Sequence, residues 1–215
     1  MPQPSTSTAG TARAQQGRSP ATGSGCAGLE DHLFECAFAF TQKWEGGARF
    51  HVVEGDPGGA TKYGVSLRFL KGLPLRLADR TADGVITWHD VQALDAVTAK
   101  AIFHRYFWDA TRCGSMTARV AVTMFDSAVN LGRRRAVRFL QLALGDAYTG
   151  RVDGLVGPKT LGAIRNFNDL WLACVVLDLR EDYYCRLAES REWARKFIGG
   201  WINRTTDLKQ FIQEV

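Results

Sequence analysis

Glu45 closes an apolar-faced stretch in Trp44-Glu45-Gly46-Gly47, and Asp56 follows eleven residues later in Asp56-Pro57-Gly58-Gly59. Thr61 comes five residues further on, in Ala60-Thr61-Lys62-Tyr63-Gly64-Val65. Breaking a glycosidic bond calls for one group to protonate the leaving oxygen. Others must hold water or a developing cation at the sugar's opposite face. Two acids and a hydroxyl in so short a stretch can supply all of these. Glu45 suits the acid's part, since a carboxylate in a helix's last turn faces the negative end of the dipole. Trp44 and nearby aromatics can also strip water from it, and both effects raise a carboxyl pKa toward the range of a general acid. Each residue also has a plainer reading. Glu45 can be a solvated helix end, Asp56 a turn former before Pro-Gly, and Thr61 an ordinary strand residue. Their grouping is what points to chemistry.

A helix and a hairpin must position them. Leu33, Ala37, Phe40 and Trp44, with Phe34, Phe38 and Thr41 beside them, recur at three and four residues and predict a helix from Leu29. Gly46-Gly47 stops it. Phe50–Val53 and Ala60–Val65 read as two strands around a Glu-Gly-Asp-Pro-Gly-Gly turn, with Thr61 and Tyr63 on one face. Ser66 can cap a short helix through Leu70, residues 72–86 read as loop, and Thr87 to Asp90 resembles a capping box. Asp95 opens a helix through Trp108. Further helices are expected near 117–130, 134–145, 158–167, 170–190 and 192–214, the last broken at Gly199-Gly200. The sum is an α+β chain, mostly α-helical, with its strands confined to one place.

The 215 residues are 46% hydrophobic and 23% charged, which places the chain among ordinary globular proteins. Residues 1–28 differ: they hold two arginines, no acid and Met1 as their only large apolar side chain, so a disordered segment is expected there. It lacks the apolar run of a secretory signal, and synthesis in the cytoplasm is expected. No stretch is apolar enough to span a membrane; Leu170–Leu179 is bracketed by charges and reads as a buried helix. The net charge of +5 suits an anionic polymer without choosing one. Arg133, Arg134, Arg135 and Arg138 form the densest basic patch, read as the solvated face of a helix whose core side is Val137, Leu140 and Leu144. No exposed aromatics interleave with it, so nucleic acid is not the expected partner. Cys26, Cys36, Cys113, Cys174 and Cys185 show neither a CxxC pair nor metal-ligand spacing with the histidines, and reduced thiols are expected.

Several motifs in order carry a resemblance. They are Glu45-Gly46-Gly47, Asp56 to Val65, Tyr106-Phe107-Trp108, Phe125-Asp126-Ser127-Ala128-Val129-Asn130-Leu131-Gly132, Leu140-Gln141, Val152 to Leu161 and Gly200-Trp201. The stretch around Glu45 resembles the phage-type lysozymes, and the chain from about residue 29 to 210 resembles glycoside hydrolase family 108, the N-acetylmuramidases of phage endolysins and bacterial secretion systems. Val152 to Thr160 is similar to the repeat of peptidoglycan-binding domains. The resemblance implies a lysozyme-like catalytic region over 29–125 and a helical peptidoglycan-binding-like region over 126–215. It implies hydrolysis of the β-1,4 bond between N-acetylmuramic acid and N-acetylglucosamine, with no metal or other cofactor. Glu45 would be the acid; Asp56 and Thr61 would stabilise the cationic sugar and orient water. The family's second acid stands nine residues after its Glu, where this chain has Glu54, so Glu54 can share or take the role of Asp56. Ala48 also stands where the family has a Tyr. Tyr63 and Asn130 are the further candidates for sugar contact, while Asp126 reads as a buried structural group. The implied partner is peptidoglycan, met by a monomer without membrane insertion, with a holin or secretion system for export to the periplasm. A lytic transglycosylase and a non-catalytic peptidoglycan-binding accessory protein are the competing readings.

Overall fold

The computed structural model describes residues 24–52 and 59–215. Residues 1–23 of the segment expected to be disordered, and the turn bearing Glu54 and Asp56, lie outside the described residues. The first helix, α1 (Ser24–Trp44), starts five residues ahead of the expected Leu29. Its buried side is Phe34, Ala37, Phe40 and Thr41, with Leu33, Phe38 and Trp44 half-buried beside them. Phe34 sets its ring edge-on to Trp108 and Phe125 at 5.5 and 5.6 Å, which fixes the helix against the core. Gly46 and Gly47, at φ +83° and +56°, then take the chain out of the helix as expected.

Three short strands follow, β1 (His51–Val52), β2 (Ala60–Lys62) and β3 (Val65–Ser66), antiparallel in that order. His51 stands opposite Thr61, and Thr61 opposite Ser66. The single strand expected over 60–65 is therefore a hairpin, folded at Tyr63-Gly64 between the paired Lys62 and Val65. Both turn residues have positive φ, +53° and +75°, as two-residue hairpin turns require. Period-two alternation cannot separate one such strand from two halves folded on each other.

Ser66 Oγ accepts the Phe69 N–H at 3.2 Å and caps α2 (Leu67–Leu70), as its sequence position predicts. A short helix, α3 (Leu75–Ala78), interrupts the expected loop. The capping box is present at α4 (Trp88–Ala93), where the Asp90 carboxylate accepts the Thr87 N–H at 2.7 Å. Asp90 also takes the N–H groups of Arg80 and Thr81, so one buried acid ties the 72–86 segment to the helix. Burial pushes its carboxyl up, but these bonds outweigh that and lower it from 3.8 to about 2. Lys62 Nζ reaches from β2 to the carbonyls of Gln92 and Leu94 at 2.7 and 2.6 Å, docking the sheet on the end of α4. The helix expected from Asp95 is α5 (Ala96–Phe103), continued by a π turn from His104 to Trp108.

The central helix is α6 (Ala118–Leu131), in which every residue from Val120 to Ala128 is buried. Its first-turn N–H groups at Arg119 and Val120 are capped by a distant acid, Asp169, at 3.0 and 3.2 Å. Gly132 links it to α7 (Arg133–Ala143), whose inner side is Val137 and Leu140, continued by Leu144, while the arginines face out. Gln141 of α7 accepts the Gly154 N–H at 2.8 Å and donates to Asp153 Oδ1 and the Leu155 carbonyl at 2.9 and 3.0 Å. Gly154 is required there: at φ +79°, a Cβ would sit 2.6 Å from the Arg134 carbonyl oxygen. The Val152 to Thr160 motif is thus a loop clamped to one helix that opens another, α8 (Pro158–Ile164), with Pro158 in its first turn. Then come α9 (Asp169–Ser190), α10 (Glu192–Arg195) and α11 (Ile198–Glu214). The expected break at Gly199-Gly200 falls instead at Lys196-Phe197. The glycines sit in the first turn of α11, where N–H groups have no intrahelical partner in any case. Among the described residues no helix is long and apolar enough to cross a membrane.

Candidate active site

Glu45 comes directly after α1, its N–H still bonded to the Thr41 carbonyl at 3.1 Å. The hairpin turn is fastened to this helix end twice. Tyr63 donates its N–H to the Gly47 carbonyl at 2.8 Å, and Gln42 Nε2 donates to the Tyr63 carbonyl at 3.0 Å. Gly64 allows the close approach, since a Cβ there would meet Glu45 Cβ at 2.8 Å and Phe103 Cζ at 3.1 Å. The carboxylate lines a pocket of about 220 Å³ with Gly64, Val65, Ser66, Phe69, Phe103, Phe107 and Val129. It is 22% exposed, an acid at the edge of a hollow lined by three phenylalanines, two valines, Gly64 and Ser66.

Arg204, carried by α11, donates Nη1 to Glu45 Oε1 at 2.7 Å. The same guanidinium grips Asp126 of α6, with Nη2 on Oδ1 at 2.7 Å and Nε on both oxygens at 3.1 and 3.2 Å. Asp126 is completely buried and also accepts from Arg180 Nη1 of α9 at 2.7 Å and from Thr41 Oγ1 at 3.2 Å. Arg180 Nε donates to the Tyr184 hydroxyl at 2.8 Å, and that hydroxyl donates to Asn130 Oδ1. One hydrogen-bonded chain therefore runs from Glu45 through Arg204, Asp126, Arg180 and Tyr184 to Asn130. Burial pushes the Asp126 carboxyl up, and Arg204 and Arg180 pull it below its ordinary value. Burial opposes the Arg204 charge, and Asp126 and Glu45 outweigh it, so this guanidinium stays a cation. Asp126 is thus flanked by two guanidinium groups, those of Arg180 and Arg204, the condition under which a fully buried carboxylate is tolerated.

The expected site residues are brought together unevenly. Glu45 and the hairpin meet. Thr61 lies in the middle strand opposite Ser66, so the two side chains share a face, and Ser66 lines the Glu45 pocket. Tyr63 is in the turn rather than the strand, so the face expected to be common to Thr61 and Tyr63 does not exist. Its ring is half-buried against the core, with Lys62 Nζ 5.5 Å from its centre. Asn130 has its carbonyl oxygen engaged by Tyr184 at the far end of the charge chain. Asp126 is the buried structural group expected. Glu54 and Asp56 lie outside the described residues. Sequence reasoning missed Arg204, Arg180 and Tyr184. Asp126 was the available signal, because an acid inside a run as apolar as Val120 to Val129 must find a cation.

Residues 38–132 match the family described as Glycosyl hydrolase 108, and residues 135–206 match the one described as Predicted Peptidoglycan domain. The matches meet around Gly132, between α6 and α7, whereas the sequence placed its division at 125/126, inside α6. The solved structure of Brucella abortus SagA is similar at a TM-score of 0.68 and 25% identity, over 86% of this chain and 95% of that one. No curated protein matches the chain.

Proposed function

The chain carries a glycosyl hydrolase 108 domain followed by a peptidoglycan domain, and on that premise we propose that Glu45 is the acid with which it cuts glycan strands. It is a peptidoglycan hydrolase of the lysozyme-type muramidase class. The bond cut is the β-1,4 link between N-acetylmuramic acid and N-acetylglucosamine. The supporting observation is the setting of Glu45, fixed by Arg204 on one oxygen and by the Gly64 turn on its stem.

Arg204 holds Oε1, which leaves Oε2 to carry a proton to the glycosidic oxygen. As that proton leaves, Glu45 becomes a carboxylate whose cationic partner is already in place. The Arg204 contact is then stronger in the transition state than before it, the condition for a contact to speed the reaction. Thr61, from the face it shares with Ser66, and Asp56, with Glu54 as its alternative, would meet the far side of the sugar. There they would stabilise positive charge and orient the attacking water. The place of action is the wall, and delivery to it would fall to a holin-like pore or a secretion system.

Digestion of purified peptidoglycan in heavy-oxygen water, read by mass spectrometry, tests this chemistry. Reducing muramic-acid ends carrying one heavy oxygen are expected. Anhydro-muramic ends without label would replace hydrolysis by transglycosylation.

A further inference from the structure

The four outward arginines of α7 line a groove of about 1020 Å³. Val152 and Leu155 of the clamped loop and Leu142 of α7 are among its apolar lining. These three are 43%, 63% and 52% exposed, unusual for such side chains placed so close together. Among the described residues none of the four arginines forms an ion pair. Two are aimed without being neutralised: Arg134 Nε donates to the Asp153 carbonyl at 3.3 Å, and the Arg135 guanidinium rests 4.4 Å from the Tyr183 ring centre. Arg133 and Arg138 are exposed and are not needed to pack α7, whose buried side is elsewhere.

The groove is joined to the active site. Arg133 also lines a neighbouring hollow of about 520 Å³ with Ser66, Phe69 and Tyr106. Ser66 and Phe69 in turn line the Glu45 pocket. Surface recesses therefore run from the acid, past the hairpin, to the guanidinium groups of Arg133, Arg134, Arg135 and Arg138.

We propose that this groove binds the peptide carried by the glycan strand while the strand lies at Glu45. Such peptides present free carboxylates among small aliphatic side chains. Guanidinium groups pair with carboxylates in a planar, two-bond geometry, and the exposed Leu142, Val152 and Leu155 suit the methyl groups. This assignment rests on the peptidoglycan-hydrolase reading and adds to it the part of the substrate that the second domain recognises. An anionic membrane would be drawn to the same charge, but a concave track leading to the acid fits a chain-like ligand better than a lipid surface.

The test has two arms, each with the wild-type chain and the Arg133→Gln/Arg138→Gln variant, folding confirmed by circular dichroism. In the first, cleavage is compared on intact peptidoglycan and on glycan strands stripped of peptides by an amidase. The double variant should lose about tenfold on the peptide-bearing substrate, as two weak exposed charge pairs imply. On the stripped strands it should match wild type. Equal loss on both substrates, or no loss on either, overturns the proposal. In the second arm, soluble stem peptide is titrated into Glu45→Gln protein, where binding does not depend on turnover. Binding that weakens about tenfold in the double variant and falls with salt supports the groove even if wild type cleaves nothing, a result that would sink only the hydrolase reading. No peptide binding, with arginine-dependent binding to phosphatidylglycerol vesicles instead, gives the groove to a membrane and ends the proposal.

Discussion

Replacing Arg204 by Met should damage both stability and turnover, because one side chain serves two acids. Its loss removes the Nη2 and Nε bonds to Asp126 and the Nη1 bond to Glu45. Breaking a buried pair from one side typically costs about 3–5 kcal/mol, since the remaining charge is left without its partner. Asp126 would keep Arg180 at 2.7 Å and Thr41 at 3.2 Å, so the lower end applies, about 3 kcal/mol. For a protein of this size that corresponds to a fall in Tm of about 6–12 °C. Glu45 is partly exposed and adds little to that figure; as the proposed acid, its share would be kinetic. An acid set free to move by about 1 Å should lower kcat by about a hundredfold. Arg204→Lys keeps the charge but cannot fork between two carboxylates, so it should regain part of the stability while turnover stays low. Thermal denaturation and release of reducing ends from peptidoglycan measure both effects. A Tm change under about 2 °C with unchanged turnover would refute the reasoning, because such values belong to a loose surface pair.

Three further substitutions test the turns and the capping box. Gly64→Ala should lower stability by about 2–4 kcal/mol and depress turnover, since the new Cβ combines left-handed strain with overlap on Glu45. Gly46→Ala, with nothing within 4 Å of its Cβ, should show only the strain, about 1–2 kcal/mol, when both variants are unfolded in denaturant beside wild type. Asp90→Ala should cost about 1–2 kcal/mol near neutral pH through the lost capping box. Because Asp90 is depressed from 3.8 to about 2 in the folded protein, its contribution is complete above 3.8 and fades as pH falls through about 2. Wild type and variant should therefore converge in stability over that window, and a difference that persists at its acid end would contradict the assignment.

The features legible in the sequence were those set by a few adjacent residues. Gly46-Gly47 ended α1, Ser66 capped α2, Thr87 and Asp90 formed their box, and Asp153-Gly154 with Pro158 led into α8. Each uses a backbone preference or a side chain that bonds within its own turn. The hairpin was half-read: its turn at Tyr63-Gly64 was hidden because alternation continues formally through it. The link from Glu45 to Arg204 spans 159 residues and that from Asp126 to Arg204 spans 78, so no local period records either. Arg204 reads locally as one more polar residue on a helix. Only Asp126, an acid in an apolar run, announced that a distant cation had to exist.

Glu45→Gln tests the central claim most directly. Glutamine keeps the shape of the side chain and an oxygen for Arg204 while removing the transferable proton. The folded variant, digested against wild type on purified peptidoglycan, should lose about a hundredfold to ten-thousandfold in release of reducing muramic-acid ends. A folded variant that cleaves within about threefold of wild type, far inside that range, would show that another group protonates the glycosidic oxygen.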